Sequence, residues 1–377
     1  MSRTLPLTFY EFFAGGGMAR AGLGDPWRCV FANDFDPVKA ETYRQNWGDD
    51  HFVPGDVWAL SSWQLPGRAD LAWASSPCQD FSLAGARAGL DGGRSSAFWG
   101  FWRLIEALNR EGRAPRAVVI ENVTGLLSSR GGEDFNALCA ALAGQGYSFG
   151  ALEIDAAAFV PQSRPRVFVL ATREAQPASL IGHSPLHTSA VRAARDRLPA
   201  ALRAGWIDWS PAPPAPRNSD LAGMLEPDED ALWRKPQQTR ALLAQMNPSH
   251  RARVEAARST GERRIGAVFR RIRVEDGRRV QRAEARFDGL AGCLRTPRGG
   301  SSRQLLLVID GGKAKSRWIS GREGARLMGL PEDYVLPKTA TAALHVVGDG
   351  VAAPVVRFLA ERLLEPLLSR QVTLAAE

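Results

Sequence analysis

Cysteine is scarce in this chain. Its 377 residues hold four, at Cys29, Cys78, Cys139 and Cys293. No Cys-x-x-Cys pair occurs, which excludes a zinc knuckle and a disulfide framework and fits a reducing compartment. No metal site is expected. No long apolar run and no apolar N-terminal signal segment is evident in the sequence, so the expectation is a cytoplasmic protein with no membrane partner. Internal repeats are absent. The dinucleotide fingerprint Gly-x-Gly-x-x-Gly is broken: from Gly15 it finds Gly17, but Arg20 takes the third glycine's place, which disfavours a nicotinamide enzyme.

Positive charge, by contrast, is plentiful. The formal net charge is +8 and the sequence pI about 9.8, a balance that favours a polyanionic partner. With 45% hydrophobic residues, the chain can build one large domain and a smaller one.

The chemistry centres on Ser75-Ser76-Pro77-Cys78-Gln79-Asp80-Phe81-Ser82. The apolar run before it reads as a buried strand, so Cys78 falls where a strand gives way to a loop. Ligands of open α/β sheets gather at such strand ends. A thiol there can act as a nucleophile once its thiolate is favoured. Upstream, Leu7 to Phe13 reads as a first strand, followed by the turn Ala14-Gly15-Gly16-Gly17-Met18 and a helix. This strand, glycine turn and helix open a nucleotide-binding βαβ unit. Trp27 to Ala32 reads as the second strand. Asp34 after it stands about 20 residues past the first glycine, where an acid meets ribose hydroxyls. Phe35 is placed to stack on adenine, and Asp36 caps a helix from Pro37 to Trp47. Gly55-Asp56 adds a carboxylate for an adenine amino group. Two acids and a glycine turn without a pyrophosphate signature point to S-adenosylmethionine.

Further along, Arg116 to Ile120 reads as a buried strand ending in Glu121-Asn122-Val123. A glutamate directly after such a strand is partly desolvated and can keep a proton near neutral pH. Arg164 and Arg166 lie at alternate positions of an extended segment, which places them on one face for an anionic or carbonyl-rich ligand, with a surface ion pair an equal alternative for Arg164. Pro211 to Pro216 is a stiff linker-like stretch. From Arg251 to Arg286 arginines far outnumber acids, the pattern of a nucleic-acid recognition region. Val351 to Leu368 reads as an apolar-faced helix.

Together these residues resemble the cytosine-C5 DNA methyltransferases. Glu11-Phe12-Phe13-Ala14-Gly15-Gly16-Gly17 is similar to the family's cofactor loop, with Glu11 for its usual aspartate and Met18 for a further glycine. Pro77-Cys78-Gln79, Glu121-Asn122-Val123 and Gln162-Ser163-Arg164-Pro165-Arg166 resemble its catalytic motifs. Arg322 to Pro331 and Gly348-Asp349-Gly350-Val351 resemble its closing segments, with Asp349-Gly350 replacing Asn-Ser or Asn-Ala.

The resemblance implies an α/β fold: a Rossmann-like methyltransferase domain with an inserted, smaller target-recognition domain. Residues 1–178 would open the catalytic domain, 179–318 form the recognition domain and 319–377 return to the catalytic domain. It implies Cys78 as nucleophile on cytosine, with Glu121 and Arg166 meeting the ring's developing charge and Arg164 assisting. S-adenosylmethionine would be held by Phe13, Gly15, Gly16, Gly17 and Met18, by Asp34, Phe35, Asp56 and Val57, and by Pro77, Asp349 and Gly350. The target base must leave the duplex stack. A lid from Gln79 to Arg94 would close behind it, with Ser82 and Arg94 near phosphate, while Arg295 and Arg298 help frame the recognition region. The expected partner is double-stranded DNA, met as a monomer, with a cognate restriction endonuclease acting on the same sequence. Competing readings are a transfer-RNA cytosine methyltransferase of the same fold and a non-catalytic DNA-binding member.

Overall fold

Aromatic and apolar residues Leu7–Phe12 form β1, an inner strand of a seven-stranded sheet in a computed structural model that describes residues 6–76, 97–275, 277–295 and 303–369. The strand ends at Phe13, in a left-handed conformation, and the glycine turn leads into α1 (Met18–Leu23). The chain then runs through β2 (Trp27–Asp34), α2 (Pro37–Trp47), β3 (Phe52–Pro54), β4 (Leu71–Ala74), α3 (Ala97–Arg110), β5 (Ala117–Val123), α4 (Glu133–Gly144), β6 (Ser148–Asp155) and β7 (Pro165–Thr172). The order across the sheet is β3-β2-β1-β4-β5-β7-β6. The first five are parallel, and β7 runs antiparallel to both β5 and β6. The carboxyl ends of β1, β2, β4 and β5 therefore share one edge with the start of β7.

α2 begins at Pro37 because Asp36 accepts the Val38 and Lys39 N–H groups, at 2.9 and 3.1 Å. Phe98, Phe101, Trp102 and Ile105 of α3 pack on Phe12, Ala72 and Ile120 of the sheet. β5 continues through Glu121-Asn122-Val123, so Glu121 sits inside the paired strand, not beyond it.

The chain packs as two compact units, and their borders differ from the expected 178/179 and 318/319. The first unit takes the chain up to Asp155, Pro165–Pro214, and from Val351 onward. Residues 179–214 belong to it because α5 (Ser189–Arg197) and α6 (Ala200–Arg203) lie beside β6 and α4. Val191, Ala194 and Leu198 sink into its core, and Trp209 donates to the Leu170 carbonyl.

The second unit takes Ala156–Arg164 and Ala215–Gly350. Its antiparallel sheet is ordered β11-β10-β8-β9, from β8 (Arg264–Glu275), β9 (Arg278–Arg286), β10 (Leu305–Asp310) and β11 (Lys313–Trp318). α7 (Pro236–Ala244) and α8 (Pro248–Ser259) cover one face, where Leu242, Met246 and Val254 meet Val268, Ala283, Leu305 and Leu307. α9 (Gly321–Leu327) is tied to this sheet by the buried Arg317–Glu323 pair, at 2.5 and 2.8 Å. α10 (Ala340–Asp349) packs on α9, where Gly324 leaves room for Val347. That is why 321–350 goes with the second unit.

α11 (Ala353–Leu359), a π turn (Ala360–Leu364) and α12 (Glu365–Leu368) close the first unit. The stretch Ala340–Leu368 is long and apolar enough to cross a membrane by length and composition only. Its most apolar part is mostly buried within the protein, and extended residues at Gly350 and Ala352 break it, so it is core helix.

Candidate active site

The glycine turn is built from below. Asp34, the last residue of β2, accepts the Gly15 N–H at 2.8 Å and the Asp36 N–H at 2.9 Å. Burial pushes its carboxyl above the ordinary range, while the Lys39 charge and these two N–H bonds pull it back. Trp47 donates to the Gly16 carbonyl at 3.0 Å. Gly17 adopts φ +79°, and a Cβ there would strike the Trp47 ring at 2.3 Å. A Cβ on Gly15 would meet nothing within 4 Å, so the turn faces open space. Beside it the Phe35 ring is 70% exposed. A buried acid, an open glycine turn and a bare aromatic face fit an adenosine-bearing ligand.

Two residues that sequence reasoning passed over hold this turn. The Arg20 guanidinium lies over the Trp47 ring at 4.9 Å and donates to Tyr43 Oη at 3.2 Å. Trp47 carries no motif signal, so only its contact reveals it. Asp56 caps a short turn by accepting the Trp58 N–H. Val57 lies in the hydrophobic core against α3, and Met18 is buried at the start of α1.

Across the same edge, Glu121 and Arg166 form an ion pair at 3.1 Å, Arg166 Nε to Glu121 Oε1. The register explains it. Val123 pairs with Arg166, so Glu121, two positions back on the same face, is its diagonal neighbour. Glu121 is only 6% exposed. On the opposite face of β5, the next residue, Asn122, donates to the Ser76 carbonyl at 3.1 Å and contacts Ser76 Oγ at 3.3 Å. This amide holds the last described residue before Pro77 against β5. In the sequence Asn122 is marked only as the middle residue of Glu121-Asn122-Val123, with no task of its own.

Arg164 has other partners than those expected of it. It precedes β7 and belongs to the second unit. Its buried guanidinium donates to the carbonyls of Leu294 (2.9 Å), Gly348 (2.9 Å) and Gly350 (2.6 Å). It clasps the backbone at three points of the second unit. Gln162, fully buried, works beside it, donating to the Leu327 carbonyl and accepting the Leu294 N–H. Asp349 pairs with His345 one turn back, at 3.4 Å. Arg295 is exposed in the second unit. Pro77, Cys78, Gln79, Ser82, Arg94 and Arg298 lie outside the described residues.

A parallel-rich sheet in this order, with a glycine turn and a strand-end acid at its carboxyl edge, defines a Rossmann-like domain. The family model of the C-5 cytosine-specific DNA methylases matches residues 7–365, and the chain belongs to that family. It is 24% identical over 97% of its length to the type II methyltransferase M1.ScrFI of Lactococcus lactis subsp. cremoris, spanning 80% of that protein. It is 26% identical to M.NlaX of Neisseria lactamica, over 94% of this chain and 95% of the other. The fold matches the Dnmt2 methyltransferase of S. pombe with a TM-score of 0.63 at 18% identity, covering 96% of this chain and 99% of that one. The protein is thus a DNA cytosine-C5 methyltransferase that uses S-adenosylmethionine, by the chemistry of its family.

Proposed function

We propose that the carboxyl edge of the first unit's sheet carries the whole reaction, with Cys78 as nucleophile and Glu121 and Arg166 as its partners. The observation that supports this most is the Glu121–Arg166 pair, placed next to the Asn122–Ser76 tether that leads to Cys78. Carbon 5 of cytosine is a poor nucleophile. When the Cys78 thiolate adds to carbon 6, negative charge builds on N3 and O2 and carbon 5 becomes an enamine carbon. Glu121 delivers or shares a proton at N3, and Arg166 donates to O2. Stabilising charge where it develops is usually the largest catalytic contribution. S-adenosylmethionine, when bound, supplies an electrophilic methyl group. Asp34 holds its ribose, Phe35 stacks on its adenine and Asp56 accepts the adenine amino group. Once carbon 5 carries the methyl group, water takes the C5 proton and the Cys78 thiolate departs from carbon 6, which restores the ring.

The substrate is a specific sequence in double-stranded DNA, whose target cytosine is extruded from the stack. The enzyme works as a monomer in a bacterial cytoplasm. The type II names of its relatives support a cognate restriction endonuclease that cuts the same sequence. Bisulfite sequencing of DNA from cells expressing the protein tests activity and reads the target together. Duplex DNA containing 5-fluorocytosine should trap a covalent adduct, and Cys78→Ser should abolish it. Full methylation by Cys78→Ser would overturn the mechanism. Methyl transfer to transfer RNA but not to DNA would favour the RNA reading.

A further inference from the structure

In the second unit, β8 outruns its sheet. It pairs with β10 only as far as Val268, whereas it pairs with β9 from Ala267 to Glu275. Residues 269–275 and 278–284 therefore form a two-stranded ribbon that projects past the four-stranded sheet. Its two faces differ. On one, charges are matched within the ribbon: Arg273 and Arg271 pair with Glu284, and Arg282 with Glu275. The other continues the core-facing row. Val268 and Ala285 lie in the core under α7 and α8. Alternation along the same face brings next Arg270, then Ile272 and Val274, with Gln281 and Arg279 opposite. Ile272 is 55% and Val274 72% exposed, so a row that begins as core ends bare.

At the root of that face three guanidiniums surround one indole. Arg270, Arg303 and Arg234 lie 5.1, 5.4 and 5.5 Å from the Trp318 ring. Arg234 donates to Ser316 Oγ at 3.3 Å and Arg303 to the Ile319 carbonyl at 3.2 Å, while Arg303 Nε is buried with no hydrogen-bond partner among the described residues. Burial lowers the proton affinity of all three, and the Arg270 charge lowers that of Arg234 further. Gathering like charges on one ring is unfavourable until an anion joins them.

We propose that this ribbon is the DNA-gripping element of the second unit: it enters the major groove with the Ile272 and Val274 row toward the bases, while Arg234, Arg270 and Arg303 hold a backbone phosphate at its root. The inference rests on the duplex-DNA substrate given above. A two-stranded ribbon has the width of the major groove, apolar side chains there meet thymine methyls, and arginines clamp phosphate. Charge selects DNA over a second copy of this basic chain.

The test is anisotropy of a labelled mixed-sequence duplex between about 50 and about 200 mM salt, where each neutralised phosphate contributes roughly 0.9 to the slope of log affinity against log salt. Arg234→Gln with Arg303→Gln should lower that slope by about one, equally for all sequences. Ile272→Gln with Val274→Gln, changes at two largely exposed side chains, should keep the slope and alter the methylated sequence found by bisulfite reading. Both double variants matching wild type in slope and sequence would overturn the proposal. So would a wild-type dimer in sedimentation that Ile272→Gln dissolves. Transfer of labelled methyl to DNA by the wild type is scored separately: its absence sinks the methyltransferase reading, whereas binding still decides the ribbon.

Discussion

At the scale of single residues, two carboxylates in this protein carry different burdens. Glu121 sits beside Arg166 at the sheet edge, and its proposed task is to meet the target ring's N3. Glu121→Gln keeps the shape and removes the acid. Its kcat for methyl transfer should fall about 10²- to 10⁴-fold, the usual span for a lost proton-transfer group, with DNA affinity little changed. Glu11 is different. It lies fully buried under the glycine turn, accepting the Arg20 N–H at 3.3 Å, and desolvation pushes its carboxyl up to about 8. The folded protein therefore holds a proton that the unfolded chain releases near pH 4.5. Between those limits the native state binds more protons than the unfolded one, so stability falls as pH rises through the window. Glu11→Gln should abolish that slope. Urea unfolding should show it close to wild type at about pH 5 and more stable, by a few kcal/mol, at about pH 9. A wild-type slope retained in the variant would remove Glu11 as its source.

At the scale of elements, helix α1 is wedged so tightly that a glycine must face α11. A Cβ on Gly22 would meet the Ala353 carbonyl oxygen and Val356 Cβ, both at 2.4 Å. Gly22→Ala should therefore destabilise the protein by about 1–3 kcal/mol through overpacking, read as a lowered Tm. Cofactor affinity should suffer with it, since α1 carries the glycine turn. Much of this element was legible in the sequence: an aromatic run, three glycines and a following helix have few other interpretations. Helix α2 was legible too, because Asp36-Pro37 states where it starts. The arginines were not. Arg164 and Arg166 share a parity, but β7 begins only at Pro165. The parity rule fails one residue outside the strand, and Arg164 turns to carbonyls 130 and more positions away in sequence. Nor does the arginine-rich stretch 251–286 reveal from composition which side chains are matched to glutamates. That follows from register, which no local pattern fixes.

At the scale of the whole chain, the first unit is assembled from three separated segments, and its last one is structural. The Pro211–Pro216 stretch does coincide with a unit border, at Pro214, whereas the border expected at 178/179 falls inside the first unit. Proline- and arginine-rich composition reports loops, and buried side chains such as Val191 and Trp209 decide membership. The C-terminal segment reaches back by several ties. Arg357 donates to the Leu23 carbonyl, Trp27 Nε1 donates to Glu365 at 3.0 Å, and the buried Arg116 donates to the Leu368 carbonyl at 2.7 Å while pairing with Asp70 and Glu174. Val355, Val356, Phe358, Leu359, Leu363 and Leu364 are all buried. At about 1.5–3 kcal/mol for each buried side chain, this segment supplies roughly 10 kcal/mol or more before its ordering cost. A domain's whole stability is only about 5–15 kcal/mol. A chain ending at Gly350 should therefore lose the first unit's fold, showing no cooperative melting of that unit and no S-adenosylmethionine binding by calorimetry. Retained cofactor binding would mean that α1 and Arg116 stand without their C-terminal partners, and the stability assigned to those contacts would have to come from the sheet alone.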